Sequence, residues 1–422
     1  MEDGRLKVWR GRAPVYALLA VALLLRIYVW KRTGVDLYGD MLTYNAMARH
    51  LAFSGYMGVG SGPSAFVMPL YPVFVALLYR LSWLIHGGYL MPQYRLVHEV
   101  YLMQQLLSLV TIWLIYEVAR QLSDRHAVGL AAALIAVVYL PNGFVGMMLL
   151  TEAVFMPLLV ATFWAFVMAQ QTDRLGYFGL SGLLLGLTVL ARPTVLPLIA
   201  LFVALDFWRR RERERGRAYR EPGAARAFWI ANGAMTGALI VCMLPWWIRN
   251  AIDFHQFIPL STEAGNPLLA GADPYFRVSI NALIQMSRAL HESQQSFAIH
   301  YALAGFAHHF LLYAGWYLFG KLPYLLWTPW LYNYIPAFVV FHRLLVVLGG
   351  AAMLATLLAP RVRIVSLSAL LLLVIQLVFL PIPRYGYPIE VLWMIALPVA
   401  AHRGYEWLSK GRAAGARGRS SP

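Results

Sequence analysis

The chain has 422 residues, 60% of them hydrophobic and only 13% charged, and its mean hydropathy is +0.61. A soluble protein carries about a quarter of its residues as charges, so a water-soluble domain is excluded. The net charge of +16 punctuates apolar runs instead of forming a continuous basic face, which argues against a nucleic-acid partner.

Apolar runs of about 17–25 residues can cross a hydrocarbon core about 30 Å thick. Backbone groups there must bond internally, so such runs are helices. About ten are present. The first, near 14–30, has no small-residue cleavage pattern and reads as a retained signal anchor. A long polar-to-apolar segment follows over 31–97. In it Asp40, Tyr44, Met47 and Leu51 recur at helical spacing, a glycine-rich loop comes next, and an apolar stretch covers 71–85. Both stretches suit helices lying in the membrane interface. Spans are then expected near 98–120, 127–147, 151–170, 176–191, 195–208 and 226–247. The pair joined at Arg192-Pro193 is short enough to form a broken or re-entrant unit. A second long segment, 248–334, contains a polar portion over 261–295 and an aromatic-rich portion over 313–334. The last spans lie near 335–358, 364–381 and 387–402. The basic Gly/Ala-rich tail, 404–422, is expected to be disordered.

Lysine and arginine in loops set orientation. Arg5, Lys7, Arg10 and Arg12 precede the first span, and the loop 209–226 holds eight arginines against three glutamates. Arg361, Arg363, Arg403, Lys410, Arg412, Arg417 and Arg419 fall on the same side if the spans alternate. Arg26, Lys31 and Arg32 oppose this locally and are outnumbered. The expectation is a multi-pass protein of the cell (inner or plasma) membrane with both termini cytoplasmic. Residues 1–403 then form one membrane domain, with both long segments on the outer face. Cys242, the one cysteine, lies in an apolar run, so no internal disulfide is available.

The candidate chemistry sits at span ends. Asp40 opens a helix, either as an N-cap or as a general base or cation ligand. Glu152 begins a span, where a carboxylate facing lipid is costly; it points into a cavity or snorkels to water. Arg192, Arg249 and Arg384 lie at outer span ends, and Lys321 lies in the second outer segment. Each alone reads as an interface anchor; together with the two acids they suit a phosphate site, since guanidinium gives bidentate, permanently charged contacts. His308-His309 do not share a helical face and carry no metal reading. The loop 209–226 is a topology determinant and a contact for anionic lipid. Phosphate loops, dinucleotide fingerprints and zinc spacings are absent from the sequence.

Four segments resemble the bacterial branch of glycosyltransferase family 39, in the GT-C class of membrane glycosyltransferases. They are Gly39-Asp40 with Tyr44, Ala48, Leu51, Gly55 and Met68-Pro69-Leu70-Tyr71-Pro72; Thr151-Glu152 with Gly186 and Ala191-Arg192-Pro193; Pro245-Trp246-Trp247-Ile248-Arg249-Asn250 with Pro259-Leu260-Ser261-Thr262 and Gly265; and Arg384-Tyr385 with Pro388. The resemblance implies an all-α GT-C-type bundle that takes a sugar from a polyprenyl-phosphate donor on the outer face. It passes the sugar to a lipid, glycan or protein, by inversion of a hexosyl or pentosyl group. Asp40 takes the family's catalytic acid position, and Glu152 is the second catalytic candidate. Arg192, Arg249, Arg384 and Lys321 are the donor-phosphate candidates. Relatives often carry a second acid after that Asp; here Met41 follows, which leaves a divalent cation an open expectation. The lack of a large soluble C-terminal domain fits a lipid or small acceptor. The competing class is a flippase for a polyprenyl-linked glycolipid, which expects ionisable groups near the midplane and paired repeats.

Overall fold

In this computed structural model residues 2–215, 223–263 and 265–418 are described. The topology arginines Arg217, Arg220 and Arg419 lie outside them. Among the described residues there is no strand. The chain opens with α1 (Glu2–Arg32), α2 (Asp40–Ser54), α3 (Leu70–Ile85) and α4 (Gln93–Ser123). The bundle continues through α5 (His126–Val138), α6 (Leu140–Phe144), α7 (Glu152–Thr172), α8 (Leu175–Ala191), α9 (Leu198–Arg215) and α10 (Ala224–Phe254). The second long segment folds as α11 (Gly265–Ala270), α12 (Ile280–Ala289), α13 (Gln294–His308) and α14 (Phe310–Gly315), followed by two wide π-type turns. The chain closes with α15 (Pro336–Thr356), α16 (Arg363–Gln376) and α17 (Pro383–Gly418).

Each expected apolar run is helical, but the runs are not equivalent. Among the described residues five helices are long and apolar enough to cross a membrane alone, and six if α5 and α6 count as one bent span. The runs in α8 and α16 are shorter apolar helices. Helix α17 is described as far as Gly418.

The bundle is held by close backbone approach. Gly182 and Gly186 share one face of α8, and a methyl group at Gly182 would lie 1.8 Å from the Met235 carbonyl oxygen of α10. Small residues four apart let membrane helices touch in this way. Helix α7 forms the centre, with 78% of its most apolar window buried.

One break positions the site. Helices α5 and α6 are bent by 69° at Tyr139, with Pro141 starting the second piece. Short α6 and the 3-10 turn Val145–Met147 after it leave carbonyls without a helical partner, and inside a membrane bundle each needs an internal donor. Gln104 Nε2 donates to the carbonyls of Gly146 and Met148, both at 3.0 Å, and Gln105 Nε2 donates to Gly143 at 2.8 Å. Tyr71 donates to Gln104 Oε1 at 2.7 Å, so α3 is tied to the same network. The chain leaves this cradle at Thr151 and starts α7 with Glu152. Replacing Gln104 by leucine removes the donor for two carbonyls, each costing about 1–3 kcal/mol if left unmet. The expected result is a clearly lowered melting temperature of the purified protein in detergent, with Gln104→Glu intermediate.

Candidate active site

Four of the six candidates from sequence meet at one end of the bundle. Gly39, at φ +52°, is the residue before α2, and Asp40 is the first residue inside the helix. Gly39 takes the N-cap position at a positive φ open to glycine. Asp40 is therefore not the cap; its Oδ2 accepts from Arg384 Nη1 at 2.6 Å and the side chain is half exposed. Glu152, the first residue of α7, has no exposure. Its Oε1 accepts from Arg384 Nε at 2.5 Å and from Arg192 Nη1 at 2.6 Å. Its Oε2 accepts from Arg384 Nη2 at 3.0 Å and from the Thr151 hydroxyl at 3.3 Å.

Arg192 is fixed by its neighbour. The residue before a proline is pushed out of the helical region, and Arg192 is extended at φ −149°, ψ 120° between α8 and the turn Pro193–Val195. Its guanidinium stacks over Tyr385, 5.1 Å from the ring centre, and Phe155, 5.7 Å away. Arg384 follows Pro383 at the start of α17. It spends Nε, Nη1 and Nη2 on the two acids, whereas among the described residues Arg192 uses only Nη1 in hydrogen bonding. The two guanidinium groups thus differ: one is a clasp between acids, and one keeps donors for a ligand.

The cluster lines a cavity of about 340 Å³. Asp40, Tyr44, Arg192, Glu263, Arg384 and Tyr385 supply its polar wall, and Val67, Met68, Leu196, Leu260, Ile375 and Phe379 its apolar one. Glu263 is the residue the sequence reading passed over. It directly follows the segment Pro259-Leu260-Ser261-Thr262, where an acid in a polar loop gives no signal. Burial and the charge of Asp40 push its carboxyl up to about 7, against the pull of Arg192 and Arg384. Burial also keeps the Tyr44 phenol neutral.

Two candidates are not part of the cavity. Arg249 pairs with Asp253 at 2.7 Å, donates to Asn250 Oδ1 at 2.8 Å and reaches the Met57 carbonyl at 3.3 Å. It ties the end of α10 to the glycine-rich loop. Lys321 Nζ donates to the carbonyls of Leu377 at 2.8 Å and Phe379 at 3.0 Å, and is fully buried. It caps the C-terminal end of α16, where a cation meets the orphan carbonyls and the negative end of the helix dipole.

Glu152 has both oxygens taken by guanidinium, Asp40 keeps one oxygen free and Glu263 both, with two fixed positive charges beside them. Among the described residues no group of three or more acids, histidines or cysteines is arranged to hold a metal.

The family described as dolichyl-phosphate-mannose-protein mannosyltransferase matches residues 79–246, less than half of the chain. None of the curated proteins matches the sequence. Among solved structures, ArnT from Cupriavidus metallidurans bound to undecaprenyl phosphate is similar at 14% identity and TM-score 0.57. That match covers 96% of this chain and 64% of ArnT. The S. cerevisiae protein O-mannosyltransferase Pmt1–Pmt2 complex bound to the sugar donor is similar at 16% identity and TM-score 0.46, over 64% of this chain and 36% of that one. The chain therefore spans less than two thirds of either structure. The likeness to ArnT establishes the fold as a GT-C-type membrane bundle.

Arg384→Ala leaves the buried Glu152 with Arg192 alone. Breaking a buried pair from one side costs on the order of 3–5 kcal/mol. The variant is expected to lose most of its thermal stability in detergent, and Arg384→Lys, which cannot span both acids, to recover less than half of it.

Proposed function

We propose that the protein is a membrane glycosyltransferase that moves a sugar from a polyprenyl-phosphate donor to a lipid, glycan or protein acceptor. The observation that carries this is the clasp itself. Arg384 holds Asp40 and the buried Glu152 on one side of a cavity whose other side is apolar, and Arg192 keeps unused donors toward that cavity. Such a cavity suits a ligand that is half phosphate and half hydrocarbon. The match to the mannosyltransferase family and the fold shared with ArnT support the same class of donor.

In this reading the phosphate lies against Arg192, whose planar fork meets phosphate oxygens. As the sugar leaves, charge grows on the phosphate, and a fixed guanidinium stabilises it without reorganisation. Asp40, at the exposed mouth, draws the proton from the acceptor hydroxyl. Glu152 touches no substrate; it sets the position of both arginines. One base and one phosphate clamp suffice for a single displacement with inversion at the sugar carbon, whether hexose or pentose. In this reading the fixed charge of Arg192 serves the phosphate, and the step is written without a divalent cation. A flippase would need a path through the bundle; here the charged cluster lies at one end of it.

The opposite end supports a sidedness. There Arg209, Arg210 and Arg213 gather around Asp173 and Asp206, and Arg361 and Arg363 pair with Asp124 and Glu212. Arginine-rich loops stay on the cytoplasmic side, which would place both termini there and the cavity on the outer face of the cell membrane.

Purified protein supplied with a panel of polyprenyl-phosphate sugars and extracted cell-envelope acceptors tests the reaction. Asp40→Asn is expected to lower turnover about a hundredfold or more. Arg192→Ala is expected to weaken donor binding by roughly 1.5–3 kcal/mol, with Arg192→Lys recovering part. Unchanged turnover in Asp40→Asn and unchanged donor affinity in Arg192→Ala would remove the assignment. Sidedness is tested by an impermeant thiol reagent on Arg211→Cys and Ala289→Cys, each in a Cys242→Ala background. The first should label only in opened cells, the second in intact ones; labelling of both from one side would overturn the topology.

A further inference from the structure

Two acids, Asp40 and Glu263, line the cavity and a third, Glu152, lies behind its arginines; their commitments differ. Glu152 gives both oxygens to guanidinium, and Asp40 gives one. Glu263 has no hydrogen bond or ion pair from its carboxyl among the described residues, although it lines the same cavity. Its position is nonetheless fixed. The Thr262 and Glu263 amides donate to the carbonyls of Ala65 and Phe66, both at 3.0 Å, and the Asn266 amide donates back to Glu263 at 3.2 Å. Two consecutive backbone bonds thus bind the second long segment to the loop that follows α2, the helix bearing Asp40. A half-buried acid carried on a pinned backbone, yet left without a partner, is poised for a ligand.

We propose that Glu263 is a second catalytic acid of the transfer, holding jointly with Asp40, directly or through one water, the proton released by the acceptor hydroxyl. This inference rests on the transfer reading above. The acceptor O–H bond breaks and its electron pair forms the bond to the sugar carbon. The bond from that carbon to the phosphate oxygen breaks with its electrons leaving on the phosphate. The proton ends on the acid pair and is lost to solvent after product departs. Carboxylates that share a site do not ionise independently. The groups facing Glu263 are Asp40 and Tyr44 from α2, Glu152 from α7, Arg192 after α8, and Arg384 and Tyr385 from α17. Of these Asp40 and Glu152 oppose its ionisation and the arginines favour it. Burial adds to the opposition, so the carboxyl titrates at about 7 instead of near 4.5, close to the optimum for a base at neutral pH.

The sign follows. A base must be ionised, so wild-type kcat/KM, which reports the free enzyme, should fall as pH drops through about 7 and level off above it. Glu263→Gln, which mimics the protonated form, should lose that limb between pH 6 and 8 and run at least tenfold slower than wild type at pH 8. Glu263→Asp should keep the limb at a reduced rate. A second arm needs no sugar: binding of undecaprenyl phosphate to the purified protein. Ionised Glu263 repels the phosphate, so wild-type affinity should drop several-fold more than that of Glu263→Gln from pH 6 to 8. The phosphate's own titration cancels in that comparison. A Glu263→Gln enzyme that keeps the wild-type limb, at any rate, overturns the proposal, and so does an identical pH dependence of binding. Loss of turnover in Asp40→Asn beside an unaffected Glu263→Gln would sink only this inference. An inactive wild type with every donor would sink the transfer reading and the catalytic role of Glu263 with it.

Discussion

A carboxylate with no solvent exposure at the end of a membrane bundle is costly unless its charge is met, and Glu152 is met by two guanidinium groups. The partners come from far along the chain: 40 residues away at Arg192 and 232 residues away at Arg384, which reaches on to Asp40 across 344 residues. Four elements, α2, α7, the break after α8 and the start of α17, therefore converge on one carboxylate. Buried ion pairs of this kind add little net stability over apolar packing. What they supply is fixed charge in a water-poor place, the condition under which charge assists a reaction most.

The rest of the fold can be understood as what that cluster requires. Glu152 starts a helix, so the chain before it cannot be helical, and the break between α5 and α7 must be satisfied inside the bundle; Gln104 and Gln105 do this from α4. Arg192 and Arg384 both adjoin a proline, which ends or begins a helix at a set residue. Lys321 and Arg249 act at one remove. Lys321 holds the turn carrying Phe379, a wall of the cavity, and Arg249 holds the glycine-rich loop near the Ala65–Phe66 bridge.

This explains what the sequence showed and what it hid. Asp40, Glu152, Arg192 and Arg384 were legible because a lone charge beside an apolar run is expensive and must be answered somewhere. Arg249 and Lys321 carry the same local signal, yet their answers are an acid one helical turn away and backbone carbonyls 56 and 58 residues on. Local context cannot separate a cation that binds a ligand from one that caps a helix. Glu263 was invisible for the opposite reason: it lies in a polar loop, where a charge costs nothing until folding brings it under the cavity wall. The helices were plain from apolar length, while the number that cross alone was not. Short helices such as α8 and α16 depend on packing, which periodicity does not report.

The charge balance of the cavity links the two halves of the proposed reaction. With Glu263 protonated, Asp40 and Glu152 cancel Arg192 and Arg384, and the site is neutral. A donor phosphate against Arg192 makes it negative. That added charge disfavours an ionised Glu263, so donor binding should make the acid pair more basic just where the acceptor's proton must go. As transfer proceeds, negative charge moves from the acceptor oxygen to the leaving phosphate, and a proton arriving on the acids offsets it. Arg384, bonded to Asp40 and Glu152, holds those two in place through this exchange, while Arg192, bonded to Glu152 through one nitrogen, remains able to follow the phosphate.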